Sequence, residues 1–131
     1  RRFLWEKAQV PPTDVYAADG SGLSTADRVT PRAMVQLLGY AAKAPWHEVL
    51  EQSLPVAGRS ETLRRRMKYT PAMGNLHAKT GTTNDVASLG GYVTSRDGNV
   101  LAFSFIYNGY NRLRAKKAMD AMGATLASYQ R

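Results

Sequence analysis

Cysteine is missing altogether from the 131 residues, which excludes disulfides and thiolate-held metals and leaves the redox compartment unread. No apolar run approaches the ~20 residues that a membrane-spanning helix needs, and there is no low-complexity tract or internal repeat. His47 and His77 are too far apart in sequence for an HExxH pair or any other familiar metal spacing. Neither GxGxxG nor GxxxxGK[ST] occurs, so a glycine-rich phosphate cradle is excluded. No metal and no cofactor is expected. The N-terminal RRFLWEKAQV has basic residues but lacks the sustained apolar stretch of a secretory leader, as a mature, processed or truncated chain would. Acidic residues are scarce, 10 against 18 Lys and Arg, and the formal charge is +8. That balance favours anionic partners such as nucleic acid, acidic membrane surfaces or acidic wall polymers, without choosing among them.

What is present has the composition of a globular domain, 44% hydrophobic and 21% charged, at a length that suits one domain or a large piece of one. Residues 1–9 read as the last turns of a helix that stops before Pro11-Pro12. Val15-Tyr16-Ala17-Ala18 suits a short strand running into the glycine-rich turn DGSGLS, residues 19–24. Thr30 followed by Pro31 opens a helix, with the hydroxyl as cap and Met34, Leu37, Leu38 and Ala41 on one buried face. Trp46, Val49 and Leu50 suggest a shorter helix closed by LPVAG, and Ser60 is expected to cap another through Arg66, with Glu61 near its positive end. The period then changes. Leu76–Asn84, Val86–Thr94 and Val100–Tyr107 read as strands, and Asp97-Gly98 makes the last two antiparallel neighbours. Asn111 caps a final helix whose Ala115, Ala118, Met122, Leu126 and Tyr129 share a face. The fold class expected is α+β, an antiparallel sheet flanked by helices.

Three stretches could carry chemistry. In Lys79-Thr80-Gly81-Thr82 strand alternation puts both hydroxyls on one face, about 7 Å apart, with Lys79 and Gly81 on the other. From the residues alone this is either an ordinary strand with a glycine bulge or a carboxylate cradle with a fixed cation behind it. DGSGLS by itself is a turn whose glycines serve backbone angles. Arg64-Arg65-Arg66 resembles a nucleic-acid patch only superficially, because consecutive helical residues fan out by ~100° each. A solvated face with some ion pairs is the simpler reading.

The ordered series DGSGLS, Thr30-Pro31, LPVAG, TLRRR and AKTGT resembles the C-terminal part of the penicillin-binding proteins of the D-Ala-D-Ala carboxypeptidase/endopeptidase family S13, from about Asp14 to the last helix. KTG alone also occurs in serine β-lactamases, so the series is what is specific. The resemblance implies a partial β-lactamase/transpeptidase-like fold with KTG on an edge strand of the active-site cleft. It implies a catalytic place for Lys79 in the proton and charge network. It has Thr80 and Thr82 binding the terminal carboxylate of a D-Ala-D-Ala stem peptide or β-lactam, and the Thr82 N–H donating into the oxyanion hole, a donor generally worth about 2.7 to 4 kcal/mol. Leu23, Thr25, Gly81 and Thr83 join the implied substrate-binding set. An extracytoplasmic location follows, with no nucleic-acid partner.

Members of that family also need SxxK and SxN. Ser21, Ser24, Ser53, Ser60, Ser88, Ser95, Ser104 and Ser128 are followed three positions on by Ser, Asp, Val, Leu, Gly, Gly, Tyr and Arg, and none has Asn two positions on. Residues 1–131 are accordingly read as the C-terminal portion of one penicillin-binding domain, inactive alone for want of a nucleophile, with the missing N-terminal part as its partner. Where relatives carry Arg directly after DGSGLS, this chain has Thr25, with Arg28 nearby, which bears on the choice of stem-peptide diamino acid. Two other readings stand beside this one: a catalytically inactive basic module holding wall polymer or nucleic acid, and a piece of a serine β-lactamase.

Overall fold

The computed structural model describes residues 2–131, so Arg1 of the expected first helix lies outside the described residues. Helix α1 (Arg2–Glu6) stops earlier than the sequence suggests, and a 3-10 turn at Pro12–Asp14 follows the proline pair. Strand β1 (Val15–Tyr16) pairs antiparallel with β2 (Arg28–Val29), so only half of the expected Val15–Ala18 strand forms. Its buried neighbour Asp14 joins this ribbon to α2 (Pro31–Ala41). The Asp14 carboxylate accepts from Arg32 Nε at 2.6 Å, Arg32 Nη2 at 2.7 Å and Thr30 Oγ1 at 3.0 Å. The Arg32 guanidinium and the Thr30 hydroxyl together hold that carboxyl below the usual carboxylate range. Thr30 also caps α2, accepting from the Ala33 N–H at 3.1 Å, as the Thr-Pro pair predicts.

Helix α3 (His47–Ser53) is exposed along Val49 and leads into LPVAG. The helix expected after Ser60 is reduced to one 3-10 turn, Glu61–Leu63. Ser60 does not cap it; its Oγ accepts instead from the Val56 N–H at 2.9 Å, which folds the LPVAG turn. Of the arginine run, Arg64 and Arg65 face solvent. Arg66 points inward, with Nε 2.9 Å and Nη2 2.8 Å from Asp120 Oδ1 on the last helix.

Strands β3 (His77–Thr82), β4 (Val86–Thr94) and β5 (Val100–Asn108) form one antiparallel sheet in that order. The turn between β4 and β5 holds Gly98 at φ 84°, a conformation that suits glycine. One face, carrying Ala78, Ala87, Leu89, Val93 and Phe103, closes a core with Leu63, Met67, Ala72 and Leu76 under helix α4 (Arg112–Ser128). Each fully buried leucine there contributes roughly 1.5–3 kcal/mol. The other face carries Tyr92, whose hydroxyl donates to the Leu38 carbonyl of α2 at 2.7 Å.

Two helix faces match the expected ones only in part, at Ala41 and Leu37 on α2 and at Ala115 and Leu126 on α4. In α2 the fully buried residues are Ala33 and Ala41, while Met34, Leu37 and Leu38 are only half-buried. In α4 the buried stripe is Ala115, Met119, Gly123 and Ala127, and the expected Met122 and Tyr129 are exposed. A β-carbon on Gly123 would lie 2.8 Å from Leu76 Cδ1, so the helix comes tight against the core at that position, with Met119 packed into the core on the same stripe.

Candidate active-site strand

Strand β3 is covered along its first half only. The Ala78 N–H donates to Pro55 O at 2.9 Å and the Ala57 N–H to Leu76 O at 2.9 Å, while Val56 bridges His77. Beyond Ala78 nothing pairs with the outer side of β3 among the described residues. Backbone polarity alternates along a strand, so the Ala78 bond fixes the rest. The backbone groups of Lys79 and Gly81 face β4, and those of Thr80 and Thr82 face outward. The Thr83 N–H bond to Val86 O, at 3.0 Å, agrees with that phase. An outward-facing row of N–H and C=O groups is a template for an extended ligand.

Side chains complete the edge. Lys79 leaves the strand on the face opposite Thr80, yet its Nζ turns back to donate to the Thr80 carbonyl at 2.7 Å, which places the ammonium at the open edge. Thr80 Oγ1 is hydrogen-bonded to Thr62 Oγ1 at 3.2 Å, and the Thr82 side chain is exposed on the same face. Gly81 stands opposite Ser88, and a β-carbon there would come 2.4 Å from Ser88 Oγ. The glycine therefore answers to Ser88 on β4. Thr83, just past the strand, presents its carbonyl to Arg112 Nη1 at 2.6 Å. Lys79, Thr80, Gly81, Thr82 and Thr83 are thus brought together.

The DGSGLS turn is built separately. Asp19 accepts from both the N–H and the hydroxyl of Ser21, Asp27 accepts from the Ala18 N–H at 2.7 Å, and Leu23 is exposed. The hydrogen bonds of residues 19–27 stay within the β1–β2 connection, and none reaches β3. Arg28 folds its guanidinium onto the carbonyls of Thr25 and Asp27, bracing the loop. Leu23 and Thr25 therefore have no contact with the KTGT strand through hydrogen bonds. Among the described residues no three His, Asp or Glu side chains gather as metal ligands do.

Two side chains that touch the strand escape a reading of local patterns. Thr62 lies 18 positions before Thr80 and carries no motif of its own. Arg112 did leave a signal, because a cation in the first turn of a helix opposes the helix dipole and so calls for a partner elsewhere.

Residues 1–129 match the family described as D-Ala-D-Ala carboxypeptidase 3 (S13). The chain belongs to that family. A D-alanyl-D-alanine carboxypeptidase of Actinomadura sp. strain R39 is 45% identical over 116 residues, covering 85% of this chain and 21% of the relative. The carboxypeptidase DacB of Haemophilus influenzae is 38% identical over 96 residues, covering 72% of this chain and 20% of the relative. The crystal structure of penicillin binding protein 4 from the same organism superposes with a TM-score of 0.85 at 29% identity, over 98% of this chain and 31% of that one. A predatory endopeptidase of Bdellovibrio bacteriovorus shares the fold, with a TM-score of 0.81 at 20% identity. The S13 chain described here thus spans about a fifth of the length of the curated relatives it matches. Its antiparallel sheet flanked by helices is the α+β fold of those penicillin-binding proteins.

Proposed function

We propose that these residues form one wall of the acyl-transfer cleft of a serine D-alanyl-D-alanine carboxypeptidase acting on peptidoglycan stem peptides outside the cytoplasm. The observation that carries this reading is the open edge of β3, along which the outward Thr82 N–H, the Thr80 and Thr82 side chains and the Lys79 ammonium are arrayed. A peptide ending in D-Ala-D-Ala has what such an edge recognises: an extended backbone and a terminal carboxylate. Thr80 and Thr82 donate to that carboxylate, Lys79 supplies positive charge, and Gly81 keeps the approach clear. The Thr82 N–H stabilises the oxyanion as a serine oxygen attacks the carbonyl of the penultimate D-Ala. The C–N bond then breaks, the terminal D-Ala leaves with a proton on its nitrogen, and water cleaves the acyl-enzyme.

No serine here has the SxxK or SxN surroundings, so the nucleophile and its base are supplied by another part of the longer protein, and residues 1–131 alone do not acylate. Leu23 and Thr25 belong to the substrate set as residues reached by the stem peptide's side chain rather than by its carboxylate. The same edge also serves the D,D-crosslinks between stem peptides, whose scissile bond has the same chemistry.

The test is covalent labelling of the full-length protein by a fluorescent penicillin, with the modified peptide identified by mass. Labelling at a serine outside residues 1–131, greatly slowed by Lys79→Ala, is expected. A folded full-length protein that takes up no label overturns the reading.

A further inference from the structure

The hydroxyl of Thr80 is not alone. It lies 3.2 Å from that of Thr62, on a turn that is fixed with unusual care. Leu63 beside it is fully buried, the Gly58 N–H donates to Leu63 O at 2.9 Å, and Ser60 Oγ accepts from the Val56 N–H at 2.9 Å. Glu61, immediately before Thr62, is held at φ 46°, a left-handed conformation that costs a non-glycine residue about 1–2 kcal/mol. The segment is also bonded to β3 itself through Pro55 O and the Ala78 N–H. Thr62 and Thr80 therefore ride on one rigid unit, and backbone strain is spent on keeping the turn where it is.

From this geometry we infer that Thr62 is a positioning residue for carboxylate recognition, acting through Thr80. The inference rests on the carboxypeptidase reading above. A threonine hydroxyl has one proton and two lone pairs, whereas a carboxylate only accepts. In the free protein the Thr80 and Thr62 hydroxyls share one hydrogen bond at 3.2 Å, which either of them can donate. When a carboxylate arrives, Thr80 must point its proton outward, which leaves a lone pair facing Thr62. Thr62 then donates its own O–H to Thr80. Only hydroxyl rotors are involved, no covalent bond changes, and the resulting chain from Thr62 to Thr80 to carboxylate is polarised in one direction. Thr80 becomes a stronger donor than an isolated threonine, and its rotamer is held before the ligand binds.

Acylation of the full-length protein by benzylpenicillin and by its methyl ester, which lacks the carboxylate, separates the possibilities. For Thr62→Val, apparent affinity for benzylpenicillin should fall by up to about tenfold, the upper end of what one neutral hydrogen bond is worth, while the limiting acylation rate stays within about twofold. Thr62→Ser keeps the hydroxyl and should restore wild-type affinity. With the methyl ester, Thr62→Val and wild type should coincide. The relay is overturned if Thr62→Val matches wild type on benzylpenicillin, or if it loses equally on the ester. If wild type itself is not acylated by benzylpenicillin, the carboxypeptidase reading fails first and takes the relay with it.

Discussion

Gly91 stands directly across from Ala78, and a β-carbon added to it would sit 2.0 Å from the His77 carbonyl oxygen and 2.6 Å from Ala78 Cα. Both obstacles are backbone, so neither can swing away. Gly91→Ala must push β3 off β4 at the start of the KTGT strand. A loss of about 3 kcal/mol or more is expected, read as a lower urea midpoint of the full-length protein at unchanged slope.

Gly39 gives the opposite result. It lies inside α2 with nothing within 4 Å of where a β-carbon would be. Gly39→Ala should raise stability by about 0.5–1 kcal/mol, the helix-propensity difference. A midpoint unchanged or lowered would mean that the surface above Gly39 is covered in the longer protein.

Tyr92 is buried and bonds α2 to the sheet through the Leu38 carbonyl, which also accepts from the Ala42 N–H at 2.8 Å. Tyr92→Phe thus leaves that carbonyl with one partner rather than none. The cost should be about 1 kcal/mol rather than the larger penalty of an orphaned group, visible as a Tm lower by a few degrees.

Asp14 has its carboxyl held low, first by the hydrogen bond from Arg32 and further by that from Thr30. A carboxyl whose folded pKa is depressed adds stability above its unfolded value, about 3.9, and loses it as pH falls through the folded value. Asp97, held down chiefly by the Ser95 hydroxyl, adds in the same direction. Unfolding midpoints followed from pH 6 to pH 2 should therefore fall below about pH 4, and Asp14→Asn should show a shallower decline. An identical decline would remove Asp14 from the acid response.

Arg112 reaches over the end of β3 to the Thr83 carbonyl at 2.6 Å. Arg112→Gln relieves the mismatch with the helix dipole, so stability should stay within about 0.5 kcal/mol. Penicillin acylation of the full-length protein should nevertheless slow roughly three- to tenfold, because the residues after Thr82 lose their brace. Equal rates would show that Thr83 needs no such support.

The three strands of the main sheet, the Thr30 cap and the Asp97-Gly98 turn were legible because each is written in adjacent residues, whereas β2 was not, since Arg28–Val29 is a strand only through its pairing with Val15–Tyr16. Alternation also read the faces of Lys79, Thr80, Gly81 and Thr82 correctly. What stayed hidden depends on partners distant in the chain. The open half of β3 is defined by Pro55, and the orientation of Thr80 by Thr62, neither of which has a local signature. On α4 the expected face holds at Ala115 and Leu126 and fails at Ala118, Met122 and Tyr129, because the stripe that packs inward runs through Met119, Gly123 and Ala127. Close approach selects against size only at Gly123, where a β-carbon would meet Leu76, while Met119 on the same stripe is a full-sized core side chain.

The outer margin of β5 has a practical meaning. No strand lies against it among the described residues, and Ile106, Ala118 and Met122 line a shallow apolar groove beside it. Prepared by itself, the polypeptide carries a surface ready to stack on its own kind. The formal charge of +8 is what holds copies apart, and that repulsion shrinks to a reach of about 3 Å in 1 M salt. Concentrated salt is therefore the wrong storage buffer for this piece, and turbidity rising with ionic strength is the behaviour to watch for at the bench.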